Sequence, residues 1–176
     1  MKNKGFSFRI RNGGAEDVPV ILSLVRELAR YEKLENEVVA TPEDYRRFGT
    51  GPSPYFQTLI AEANTEHGKQ AVGFALYFFT FSTFLGKPTL YLEDLFVKPN
   101  YRGHGIGKML LAYLAKIALE HDCGRMEWAV LDWNTPAIEF YQKLGARPMD
   151  EWTTFRLQIP EMIKLADWTN QEDSRK

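Results

Sequence analysis

Several things are scarce in this chain, and each scarcity excludes a class of protein. Cysteine occurs once, at Cys123, which rules out an internal disulfide or a cysteine-built metal cluster and fits a reducing compartment. Net charge is nearly absent. With 22 Lys plus Arg against 23 Asp plus Glu, the chain lacks the basic field of a general nucleic-acid binder, so a charged ligand has to be met locally. Long apolar runs are missing too, since "AVGFALYFF" is far shorter than the roughly 20 residues that span a bilayer. The opening "MKNKGFSFRIRNGG" has no apolar signal-peptide core. A soluble, cytoplasmic protein is expected, with no membrane or nucleic-acid partner. His67, His104 and His121 share no metal-like spacing and read as surface or loop residues, so no metal is expected.

What is present reads as one domain, residues 1–176, of mixed α/β class. "FSFRI" alternates as a first strand, and "EDVPVILSLVRELARYE" then places Val18, Ile21, Leu22, Val25, Leu28 and Ala29 on one helical face. In "TPEDYRRF", Thr41 stands as an N-cap with Pro42 at the first helical position. "YFQTLIAEA", "AVGFALYFFTF" and "PTLYLEDLFV" read as three consecutive antiparallel strands. Ile106, Leu110, Leu111, Leu114, Ile117 and Ala118 recur at helical spacing, and "MEWAVLD" follows as a buried strand. "NTPAIEFYQKLG" opens a helix at Asn134 or Thr135, with Phe140 and Leu144 in the core and Gly145 as its stop. "TTFRLQI" is read as a last strand, followed by a short tail helix from Pro160.

The stretch "YLEDLFVKPNYRGHGIGKML" carries the chemistry. Gly103, Gly105 and Gly107 lie after a strand and at the opening of a helix, where glycines let successive N–H groups turn inward and the helix end favours an anion. Arg102 and Lys108 can add charge-assisted contacts to a phosphate. The familiar nucleotide loops fit badly: a dinucleotide fingerprint needs glycine where Lys108 stands, and a P-loop needs Ser or Thr at Met109. This is another kind of phosphate cradle.

"VKPNYRGHGIGKMLL" resembles the acetyl-CoA signature of the GNAT superfamily of N-acetyltransferases. "YLEDLFV", "YRGHGIG", "VLDWN" and "FYQKLGA" together are similar to the spermidine/spermine and thialysine acetyltransferases, over most of residues 6–158. The resemblance implies a GNAT fold: a mostly antiparallel twisted sheet of about six to seven strands, flanked by about four helices and splayed to admit acetyl-CoA. It implies that Leu95, Phe96 and Val97 pair with the pantetheine arm. Arg102, Gly103, His104, Gly105, Ile106, Gly107 and Lys108 would take the pyrophosphate, and Asn134, Pro136, Ala137 and Tyr141 would add further cofactor contacts. A homodimer is also implied.

An alkylamine has a pKa near about 10 and arrives protonated, so something must take its proton before it can attack a thioester. Glu93 and Asp94 are consecutive on a strand and point to opposite faces, which excludes a carboxylate dyad. The resemblance assigns the base to Glu93, leaves Asp94 an ordinary strand acid, and makes Tyr141 the acid that protonates the departing sulfur. It also implies acceptor contacts from Tyr31, Glu32, Glu93, Glu151 and Trp152. Ser82 stands where the polyamine branch tends to carry an acid, so lysine-like and short diamine acceptors compete with spermidine. Acetylation of proteins, or CoA binding without turnover, remain alternatives. Trp128 and Trp133 read as packed aromatics, and Cys123 as a buried small residue.

Overall fold

A computed structural model describes residues 6–66 and 68–173, side chains through 169; His67 lies outside them. Five strands form one sheet in the order β1 (Ser7–Asn12), β2 (Gln57–Thr65), β3 (Gly68–Ser82), β4 (Lys87–Val97), β5 (Arg125–Trp128). The first four run antiparallel, and β5 lies parallel to β4, as the intervening helix requires. The helices are α1 (Val18–Glu32), α2 (Pro42–Gly49), α3 (Ile106–Glu120), α4 (Thr135–Lys143) and α5 (Ile159–Asp173). The chain divides into two compact units, one through Ala129 that holds the whole sheet, the other from Val130 with α4 and α5.

Helix α1 is held from both ends. Asp17 precedes it and receives two bonds from Arg11, Nη1 to Oδ2 at 2.7 Å and Nη2 to Oδ1 at 2.8 Å, with the Gly14 N–H as a third donor at 2.9 Å. Its apolar face then buries Ile21, Leu24 and Leu28 against Ile60, Phe74, Leu76 and Phe96 of β2, β3 and β4. Each such side chain contributes about 1.5–3 kcal/mol of transfer free energy. The buried stripe differs by one position from the expected one: Leu24 is fully buried, while Val25 is only half-buried. Thr41 caps α2 as read, accepting from the Asp44 N–H at 3.3 Å. Ile106, Leu110, Leu111, Leu114 and Ala118 give α3 its buried face.

The expected six to seven strands become five among the described residues. "TTFRLQI" is not a strand: residues 153–158 are irregular and exposed. A single alternating run has no ladder to join without a neighbour at hydrogen-bonding distance, and alternation alone cannot supply one. The strand read from "MEWAVLD" is likewise short, ending at Trp128. Leu144 is exposed rather than core, since α4 ends just before it. The helix does stop where expected, with Gly145 at φ +92° in the left-handed region that glycine tolerates.

Candidate active site

The site is built where β4 parts from β5. Pairing between them runs from Thr89↔Arg125 to Leu92↔Trp128 and stops, whereas β4 continues to Val97. Along residues 93–97 the β5 side of β4 therefore has no strand partner among the described residues. An extended ligand chain could hydrogen-bond along that open side of β4, as a strand would.

The first residue past the parting is Glu93. On its other side β4 pairs with β3, and the register jumps: Tyr77 opposes Leu92 and Leu76 opposes Asp94, so Glu93 is the extra residue of a β-bulge. Bulges re-aim side chains and cluster beside active sites. Glu93 is exposed and Asp94 half-buried, and the register jump interrupts the simple alternation expected of consecutive strand residues.

Asp94 is the residue that sequence reasoning undervalued. Burial pushes its carboxyl up to about 7, with the charges of Glu93 and Glu32 adding to the effect. It makes no ion pair among the described residues. Glu32, the last residue of α1, is also raised by burial. Tyr45 of α2 completes this surround, its phenol pushed up to about 12 by burial and by the nearby charge of Asp94. Nothing in a linear sequence announces a bulge, and without it Asp94 looks like any strand acid. Nor does the sequence mark Tyr45, because an aromatic in a short amphipathic helix is usually packing.

The glycine loop follows. Residues 99–101 form a single 3-10 turn, and Gly103 and Gly105 then take φ of +78° and +83°. A Cβ at either position would meet nothing within 4 Å, so these glycines answer to backbone conformation and leave open space over the loop. Gly105 directly precedes α3 without any side-chain cap, so the first N–H groups of the helix stay available to an acceptor from outside. Arg102 is braced: its Nε donates to the Val97 carbonyl at 2.9 Å, and its guanidinium lies 4.6 Å over the Tyr31 ring and 5.8 Å over Phe96. Lys98 pairs with Glu27 at 3.1 Å. These contacts bind the loop to the end of α1 that carries Tyr31 and Glu32. His104 sits against Phe6, ring centroids 4.5 Å apart, and Ile106 is buried under α3 while Gly107 and Lys108 continue it outward.

The structure thus brings Tyr31, Glu32, Glu93, Leu95, Phe96, Val97 and the 102–108 loop together in the first unit. The remaining candidates belong to the second. Asn134 is buried at the start of α4, where its carbonyl accepts from Ala137 and Ile138 at 3.0 and 3.1 Å. Pro136 and Ala137 lie in the first turn, and Tyr141 is half-buried against Phe140 with ring centroids 5.4 Å apart. Glu151 and Trp152 are exposed, Trp152 by 73%. Trp133 is half-exposed rather than packed away, and Cys123 is only partly buried, its thiol raised chiefly by desolvation. No cluster of three or more His, Cys, Asp or Glu suited to a metal ion occurs among the described residues, nor does any helix long and apolar enough to cross a membrane.

Comparison with known proteins places the chain in a family. Residues 22–146 match the model of the acetyltransferase (GNAT) family. The chain is 41% identical to a thialysine N-epsilon-acetyltransferase of Sus scrofa, over 91% of this chain and 98% of that protein. It is 39% identical to the spermidine/spermine N(1)-acetyltransferase-like protein 1 of Homo sapiens, over 90% of this chain but 24% of that one. Among solved structures, an integron cassette protein from the mobile metagenome of V. cholerae superposes with a TM-score of 0.73 at 28% identity, covering 92% of this chain and 99% of that one.

Proposed function

The chain belongs to the GNAT acetyltransferase family and is an N-acetyltransferase, and from that premise we propose that it acetylates the primary amine of a small polyamine, diamine or lysine-like acceptor by direct attack in a ternary complex. The observation that carries this reading is the bulge: the one unpaired residue of β4 is a carboxylate, placed where the sheet opens and beside two raised acids. GNAT acetyltransferases use acetyl-CoA. Bound there, it supplies the thioester whose acyl carbon the amine attacks, the C–N bond forming as the C–S bond breaks.

The open side of Leu95, Phe96 and Val97 fits the pantetheine arm, and their N–H groups would also steady the developing oxyanion. The loop from Arg102 to Lys108 fits the pyrophosphate, since its left-handed glycines leave the space unobstructed. Asn134, Pro136, Ala137 and Tyr141 take the further cofactor contacts the family resemblance assigns. Glu93 receives the proton of the incoming ammonium, directly or through a water, and Tyr141 donates to the departing sulfur. Glu32 and Asp94 supply negative charge for a cationic acceptor, with Tyr31 forming a wall braced by Arg102; Glu151 and Trp152 extend the acceptor contacts. Cys123 has no part in this scheme, because direct transfer needs no covalent acyl-enzyme.

The same reading takes residues 1–176 as one catalytic domain working in the cytoplasm. It takes the active form as a homodimer, supported by the exposed Trp152, Phe155, Ile159, Ile163 and Trp168 of the second unit, a quantity of apolar surface that invites a second copy. Thiol release from acetyl-CoA, measured against spermidine, putrescine, lysine, thialysine and a peptide, tests the proposal. Turnover with one or more of the small amines is expected. Acetyl-CoA binding without turnover of any of them would reduce the chain to a cofactor-binding module.

A further inference from the structure

Behind Glu93, where β4 and β5 are still paired, one face of the sheet carries charges that the reaction above leaves idle. Tyr91 stands opposite Glu127 of β5, and Thr89 opposite Arg125. Neighbours in register share a face. This is the face that bears Leu76 and Asp94, because Tyr91 pairs with Phe78, which lies two residues from Leu76 on β3. Glu93 belongs to the same surround, since its charge acts on both Tyr91 and Asp94.

From Glu93 the row runs back past Tyr91 and Glu127 to Arg125. Tyr91 is its floor, half-buried and tilted against Phe78 with ring centroids 5.2 Å apart. Its phenol is raised by burial and then by the charges of Glu93 and Glu127, so both carboxylates stand close to it. Glu127 Oε1 lies 2.9 Å from Arg125 Nε, and Arg125 has no other acidic partner among the described residues. A partly exposed pair of this kind adds little stability, and a guanidinium has five N–H donors in a fork, enough for a second carboxylate. Beside Arg125, Thr89 is buried with a hydroxyl that finds no hydrogen-bond partner among the described residues, a polar group left over on the same face.

This order of charges has a molecular match. The backbone positions of Glu93 and Glu127 are one strand spacing and two residues apart, about 8 Å on the diagonal. Two amines joined by five carbons span six single bonds, about 7 Å when extended. With one ammonium at Glu93 the other falls at Glu127, and the aliphatic chain runs over the Tyr91 ring, whose face also favours a cation. A carboxylate on the carbon that bears the second ammonium then meets Arg125. The opposite direction, toward Asp94 and Glu32, offers that carboxylate acids and Arg102, whose guanidinium is already held by the Val97 carbonyl and the Tyr31 ring.

We propose that Glu127 and Arg125 are specificity-determining residues that hold the zwitterionic head of an α,ω-diamino acid while its distal amine is acetylated at Glu93. This rests on the acetyl-transfer reading above. It also ranks the acceptors which that reading leaves open: a lysine-like amino acid comes ahead of the diamine of the same length.

The test is thiol release from acetyl-CoA with L-lysine, 1,5-diaminopentane and Nα-acetyl-L-lysine, in the wild type, Arg125→Gln and Glu127→Gln, with a thermal melt of each variant. The three acceptors share the distal amine and differ at the head, where the diamine lacks the carboxylate and the acetylated lysine lacks the ammonium. Wild-type kcat/KM for L-lysine is expected to exceed that for either of the others by about tenfold or more. Arg125→Gln should move the ratio of L-lysine to 1,5-diaminopentane about tenfold toward the diamine, through KM rather than kcat. Glu127→Gln should move the ratio of L-lysine to Nα-acetyl-L-lysine about tenfold toward the latter. The wild-type comparison stands whether or not a variant folds. Equal or reversed wild-type preference, or ratios unmoved in folded variants, would overturn the head site while leaving acetyl transfer intact. Failure of the wild type to use any of the three acceptors would instead overturn the reading on which the head site rests.

Discussion

Two aspartates bracket α1, and the protein treats them in opposite ways. Asp17, at its start, is gripped by the Arg11 guanidinium and the Gly14 N–H, which hold its carboxyl below the usual range despite burial. Asp94, beside the last residue of the helix, has only acids for company and rises to about 7. Asp17 is buried and Asp94 half-buried, so exposure alone does not account for the difference. The difference is the partner. An acid whose counter-charge is built into the fold is a structural tie, while one left among other acids lowers stability and is retained where a cation from outside can complete it. The contrast points to the end of α1 where Tyr31, Glu32, Glu93 and the glycine loop also gather.

The largest expected effect lies at the second end. Glu93→Gln keeps the bulge and removes the base, and kcat/KM for any amine should fall by about 10²- to 10⁴-fold with the melting temperature unchanged. Steady-state kinetics beside a thermal melt separate the two quantities.

Next comes the tie itself. Asp17→Asn should destabilise the fold by about 2–3 kcal/mol, read by urea denaturation, because a half-buried Arg11 loses its bidentate carboxylate and keeps Glu62, 3.4 Å from its Nε, as its one remaining acidic partner among the described residues. Its kcat should stay at the wild-type value. A large loss of kcat in the folded variant would erase the distinction between the two ends.

The smallest effect has the opposite sign. Asp94 keeps its proton to about pH 7 when folded, against an ordinary value of 3.8, so between those limits the folded chain binds the more protons. Stability from this group is therefore fullest at the acid end of the window and is lost as pH rises through about 7. Asp94→Asn should flatten that slope and raise stability at neutral pH by about 1–2 kcal/mol, after discounting for solvent screening. It should also raise KM for a diamine. A variant less stable than wild type at neutral pH would show that Asp94 has a partner after all. Asp17 runs the other way, its contribution disappearing only as pH falls through its lowered value.

Much of this was legible in the chain. The hydrophobic periods of β2, β3, β4 and α3, the Thr41 cap and the Gly145 stop are local signals, and local structure followed them. The glycine loop was legible because Gly103 and Gly105 have a backbone reason to be there, and the Arg-Gly-x-Gly-x-Gly spacing is specific. Asp94 and Tyr45 were not, since their character depends on a register shift in β4 and on the packing of α2, neither of which leaves a periodic trace. The irregular 153–158 segment was misread for a related reason: alternation shows that a strand could face two environments, and says nothing about whether another strand lies beside it.

The most direct test of the account follows both products of one reaction. Purified chain, acetyl-CoA and a small primary amine would be incubated, free thiol and N-acetylated amine quantified together by absorbance and mass spectrometry, and Glu93→Gln run alongside. The account expects thiol and acetylamine in equal amounts from the wild type and a loss of at least about 10²-fold in the variant. Thiol without acetylamine, or a variant as fast as the wild type, would contradict it.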